Sequence, residues 1–124
     1  MTTLLLRVGD DFLYTATVRD RAGGLFDLTG STLWITIKRY RSDADADAIA
    51  CLYWQDGIGA AGISVADEST GEADIRLTPS QTLLFEQAAY VWDLQIQDAA
   101  GAIRTVDRGT LVAQMSVTTR TTTP

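Results

Sequence analysis

Polar and apolar residues alternate along much of the chain, most clearly over residues 62–117. In residues 90–97, Tyr90, Trp92, Leu94 and Ile96 fall on one side of a period of two, and Val91, Asp93, Gln95 and Gln97 on the other. Successive side chains of a strand point to opposite faces, so this segment is predicted to be a strand buried on one face only. Residues 73–77 and 110–117 repeat the habit, although Val112 on the polar side weakens it in the second. Upstream, residues 12–18 set Phe12, Tyr14, Ala16 and Val18 against Leu13, Thr15 and Thr17. Residues 33–40 likewise set Leu33, Ile35 and Ile37 against Trp34, Thr36 and Lys38. Shorter strands are predicted at 4–8, 25–28, 49–54 and 63–65. The core is predicted to gather Tyr90, Trp92, Leu94 and Ile96 with Ile35, Ile37, Ile75 and Leu77.

Punctuation between these segments is mostly turn chemistry. The adjacent glycines of Asp20-Arg-Ala-Gly-Gly24 supply the positive φ that a tight hairpin needs. Thr78-Pro-Ser-Gln81 is different: Thr78 can cap a helix, Pro79 suits its first position, and Gln81 stands where a capping-box partner reaches back. A short helix over 79–85 is predicted, with Leu83, Leu84 and Phe85 plugging an open end of the sheets. Half-buried strands about ten residues apart need a second apolar layer, so the fold expected is an all-β, antiparallel sandwich of seven or eight strands with one helical turn. Residues 1–117 would form that domain and residues 118–124 a polar, Thr-rich tail. Tyr90, opening a strand after a helical turn, is placed like the tyrosine corner of such sandwiches.

Composition narrows the function. The 124-residue chain is long enough to bury a core without metals or cross-links. No apolar run approaches the roughly 20 residues that span a bilayer, so no membrane partner is expected. Its net charge of −6 is unfavourable for nucleic acid, whose affinity rests on clustered cations. Lys38-Arg39-Tyr40-Arg41 is the sole basic group, and a solvated strand end explains it. One cysteine, Cys51, excludes an intrachain disulfide and is expected to be a small core hydrophobe. Met1–Arg7 lacks the features of a signal peptide, and folding in a reducing bacterial cytoplasm is the expectation.

Several segments together carry a family resemblance. They are residues 27–37 (Asp-Leu-Thr-Gly-Ser-Thr-Leu-Trp-Ile-Thr-Ile), 62–65, 71–81, 90–98 and 109–112, in this order. Their succession resembles small immunoglobulin-like virion proteins of tailed bacteriophages and prophages, similar to the N-terminal domain of baseplate upper proteins, over residues 7–117. The resemblance implies an immunoglobulin-like sandwich with a structural role in tail, baseplate, neck or capsid decoration. It also implies location in the virion, other virion proteins as partners, and homo-oligomers. It brings no catalytic residues. Longer members continue into receptor-binding or coiled-coil extensions that are not seen before Pro124, so the resemblance is not carried to host recognition.

Candidate chemistry is sparse. Without histidine there is no imidazole base, His-metal cluster or Ser-His-Asp triad. Asp43, Asp45 and Asp47 resemble the start of a Ca²⁺ loop, but Ala48 and Trp54 stand where its Gly and its final carboxylate belong. Asp67, Glu68, Glu72 and Asp74 are dense enough to suggest a carboxylate-based glycoside hydrolase, yet they surround a turn. Neither catalytic residues, a metal nor a cofactor is therefore assigned. Trp34, Trp54 and Trp92 raise the alternative of a carbohydrate or cell-surface binding module. Partner contacts are assigned to Trp34 and Tyr40 as exposed aromatic anchors and to Thr118, Thr119 and Arg120 in the tail. The leading segment 2–7 is expected to be ordered by partners in the same way.

Overall fold

The computed structural model describes residues 2–115. Nine strands lie among them: β1 Thr2–Val8, β2 Phe12–Thr17, β3 Thr32–Lys38, β4 Ala50–Gln55, β5 Gly59–Ala61, β6 Ile63–Ser64, β7 Glu72–Leu77, β8 Ala88–Gln97 and β9 Ile103–Met115. Among these residues a single short α-helix, α1 at Pro79–Thr82, joins β7 to the region before β8. The strands make a six-stranded sheet, β1-β9-β8-β3-β4-β5, and a three-stranded sheet, β2-β7-β6. Alternation along most of the strands turns one apolar row of each sheet inward, and the two rows meet as one core. Tyr90, Trp92, Leu94 and Ile96 are buried there with Ile35, Ile37, Ile75 and Leu77, as the periodicity requires.

Around the central strands β9-β8-β3, the larger sheet adds β4 and β5 on one side, as a variable-type immunoglobulin sheet adds two strands to its central three, and β1 on the other. One hallmark of that fold is present, and the position of another carries different chemistry. The Glu86 N–H donates to the Tyr90 hydroxyl at 2.8 Å, so Tyr90 is a tyrosine corner. Two residues on, where immunoglobulin domains carry their second cysteine, stands Trp92. It meets Tyr14 of the opposite sheet edge-on, ring centroids 5.7 Å apart, so an aromatic contact crosses the core where a disulfide would.

Helix α1 is fixed at both ends. Thr78 accepts from the Gln81 N–H while Gln81 Oε1 accepts from the Thr78 N–H, completing the capping box. The buried Thr82 hydroxyl accepts the Gly9 N–H at 3.0 Å and donates to the Asp10 carbonyl at 2.8 Å. That one side chain ties the helix to the turn between β1 and β2.

Several expectations are corrected. β1 and β9 pair parallel, Thr2 beside Gly109 through Val8 beside Met115, so the larger sheet is mixed. Nine strands stand where seven or eight are expected; β5, which is Gly- and Ala-rich and carries no alternation to read, is not among the expected segments. The strand expected at 25–28 reduces to a single bridge, Arg19 with Leu25. β9 begins at Ile103 rather than at 110. Its first half contains a bulge, since Leu94 opposes Asp107 but Gln95 opposes Thr105, leaving Val106 extra and breaking the period of two. The helix stops at Thr82, and Leu83 and Leu84 are exposed while Phe85 alone is buried. Cys51 lies on the outward side of β4 and is exposed, because Leu52 and Trp54 take the inward positions. Residues 2–7 are not left for a partner to order: Leu4 and Leu6 are core residues, and the Thr2 hydroxyl donates to Asp107 at 2.9 Å.

Candidate interaction surfaces

Outward residues of the larger sheet form its exposed face. Register places Trp34 directly opposite Tyr53 on one side and Gln95 on the other. Directly opposed side chains have Cβ atoms about 5 Å apart, so Trp34 and Tyr53 form one aromatic patch. Trp34 faces outward but is half-buried, and Tyr53 is 40% exposed. Tyr53 was legible as an outward residue between Leu52 and Trp54, but its pairing with Trp34 depends on register, which alternation alone does not give. Trp54 and Trp92 are both buried and offer no ring to a ligand.

The second expected anchor, Tyr40, is exposed but lies six residues from Trp34, about 20 Å along an extended chain. The structure does not bring the two together. Arg39 instead sits between Tyr40 and Tyr90, its guanidinium 4.9 Å from the first ring centroid and 5.5 Å from the second. The same guanidinium donates to the Ala89 carbonyl. Tyr40 therefore belongs to a packed strand end. Thr118, Thr119 and Arg120 lie outside the described residues.

Beside the aromatic patch, the same face holds an open cleft of about 250 Å³. Lys38, Arg41 and Arg108 line it together with Asp45, Asp93, Thr36 and Gln95. Two of its charges, Lys38 and Asp45, are paired with each other. Lys38 Nζ contacts Asp45 at 2.6 Å and donates to the Asp43 carbonyl at 2.9 Å. Asp93 lies opposite both Thr36 and Arg108, and burial pushes its carboxyl above the usual range, against the opposing pull of Lys38. Such a cleft can hold a small polar group.

The acidic segments are occupied by local structure. Asp43 accepts the Tyr40 N–H at 3.1 Å and Asp45 holds Lys38, so these carboxylates brace the turn after β3. Among the described residues no group of three or more His, Cys, Asp or Glu is placed to hold a metal. Asp67 accepts from the Ser69 N–H and hydroxyl, and these bonds hold its carboxyl below the usual range. Asp74 accepts from Thr15 across the β2–β7 pair at 2.8 Å. Gly71, in the left-handed region at φ 72°, lets Glu72 begin β7 beside Val18, where any Cβ would meet the Val18 and Phe26 carbonyls.

Among the described residues four strands form sheet edges: β1 and β5 in the larger sheet, β2 and β6 in the smaller. β6 spans 2 residues and β5 spans 3, lengths that limit strand pairing. β1 and β2 are longer, at 7 and 6 residues.

No family model matches the sequence, and no curated protein matches it. Among solved structures the chain is similar to AggA, the major subunit of aggregative adherence fimbriae type I from Escherichia coli. The identity is 12%, the match covers 94% of this chain and 91% of that one, and the TM-score is 0.36.

Proposed function

We propose that this chain is a non-enzymatic structural building block that works through repeated protein–protein contacts. Its proposed setting is the particle of a tailed phage, in tail, baseplate, neck or capsid association. The observation that carries the assembly reading is the outward Trp34–Tyr53 pair on a broad sheet face. Aromatic rings that are partly covered and held rigid by strands give a partner large contact area at small conformational cost, and they are enriched in interface centres. The phage setting rests on the resemblance of the turn-and-strand motifs.

Mass spectrometry of purified particles is expected to find the chain in multiple copies. Trp34→Ala combined with Tyr53→Ala is expected to lower incorporation while leaving the circular dichroism of the domain unchanged. Absence from particles despite abundance in the infected or lysogenic cell would refute the phage setting. The same aromatic pair also favours a second reading, stacking against a sugar ring. Glycan-array binding that disappears in Trp34→Ala would move that reading ahead.

A further inference from the structure

We infer that β2 pairs with β2 of a second copy, antiparallel about a two-fold axis at Thr15, joining two three-stranded sheets into one of six strands. The Val18 N–H donates to Gly71 on the β7 side of the strand at 2.7 Å. Backbone direction alternates along a strand, so Phe12, Tyr14 and Ala16 also bond toward β7, while Leu13, Thr15 and Thr17 direct their N–H and C=O groups to the open edge. The segment Phe-Leu-Tyr-Thr-Ala-Thr has high strand propensity and carries no charge, proline or bulge that would discourage pairing.

The flanking charges select both the occupant and the register. With Thr15 opposite Thr15 of the copy, Leu13 falls opposite Thr17, and Asp11 opposite Arg19. Inward residues then meet inward ones, so the two cores stay on the same side of the joined sheet. Each of the Leu13–Thr17 and Thr15–Thr15 pairs exchanges two N–H···O bonds. The ladder ends at Arg19, whose carbonyl already accepts from Arg104 at 2.6 Å. Asp11 and Arg19 are exposed at either end. Among the described residues, Asp11 has a distant contact at 3.8 Å with Arg76. β1, the other long edge, has Arg7 but no acid to oppose it in an antiparallel self-pair. A second copy of β2 is thus the complementary partner, and the edge is removed by closing on itself.

This deepens the assembly reading by naming one self-contact, and its biological purpose rests on that reading. Sedimentation equilibrium of the full chain is expected to show a reversible monomer–dimer equilibrium. Thr15→Lys would place two ammonium groups on the axis. Within the chain an ammonium group beside Asp74 replaces the Thr15 hydrogen bond with an ion pair, so the monomer stays folded by circular dichroism. The dimer dissociation constant is expected to rise at least about tenfold, since like charges directly opposite each other repel. Asp11→Arg is expected to weaken the dimer, and adding Arg19→Asp to restore it. A wild-type chain that stays monomeric up to about 1 mM, a concentration matching only about 4 kcal/mol of association, overturns the inference. A Thr15→Lys variant that dimerises like wild type also overturns it. A monomeric chain that still co-purifies with particles would remove the β2 pair alone. A dimer absent from particles would remove the functional reading alone.

Discussion

Trp92 fills the position from which an immunoglobulin-like core is usually cross-linked, so much of the contact between sheets depends on one indole and the Tyr14 ring against it. Truncating a buried aromatic costs about 3–5 kcal/mol, a large part of a small domain's stability. Trp92→Ala is therefore expected to unfold or severely weaken the protein in urea titrations. Gln95→Ala, on the outward face of the same strand, should change stability by less than about 0.5 kcal/mol. Equal effects would contradict the facing of β8. Tyr14 supplies a second test. Burial, the hydrogen bond its hydroxyl donates to Asp107 at 3.0 Å, and the charge of that carboxylate push its phenol up to about 12 from an ordinary 10.0. The folded state thus holds this proton more tightly than the unfolded chain. The stability gained is complete below about pH 10 and lost as pH rises through about 12. Alkaline unfolding followed by absorbance should show this limb, and Tyr14→Phe should flatten it. Residues of this kind were legible where a period of two was intact, as for Trp92 and Ile35. Cys51 was misread because an apolar type was assigned to the core although its neighbours Leu52 and Trp54 already filled the inward positions.

Elements show what local sequence can and cannot specify. The cap at Thr78 was readable because the chemistry is contained within four residues, and the structure makes both of its bonds. Thr78→Ala is expected to cost about 1 kcal/mol in chemical denaturation, within the usual range for a lost N-cap. A Thr78→Ser change, which keeps the hydroxyl, should recover most of it. β9 was half hidden because its bulge at Val106 interrupts alternation, and because Gly109 resembles a turn residue. Gly109 has a different purpose: β1 passes so close that any Cβ would overlap the Thr2 backbone. That requirement involves residues at opposite ends of the described chain, so no window of sequence displays it. The Trp34–Tyr53 patch was half legible for the same reason. Both residues could be placed outward, but only the β3–β4 register makes them neighbours.

On the scale of the whole molecule, the parallel contact of β1 with β9 has a consequence for how the protein is made. β1 is complete once residue 8 has been synthesised, but its ladder needs residues 109–115. Until they emerge from the ribosome, Leu4 and Leu6 have no neighbouring strand to hold them in place, and β8 lacks its outer neighbour. Contacts this distant in sequence form late, because closing the intervening loop costs entropy before any pairing can offset it. Translation at about 5–20 residues per second would leave this apolar segment uncovered for several seconds or longer. Nascent chains stalled with residues 2–100 outside the exit tunnel are thus expected to be cleaved readily by protease within the first ten residues. Chains stalled with residue 115 outside should resist. Resistance already present at the shorter length would mean that β1 docks without its partner. The late arrival of β9 would make this small domain a client for holding chaperones throughout its synthesis.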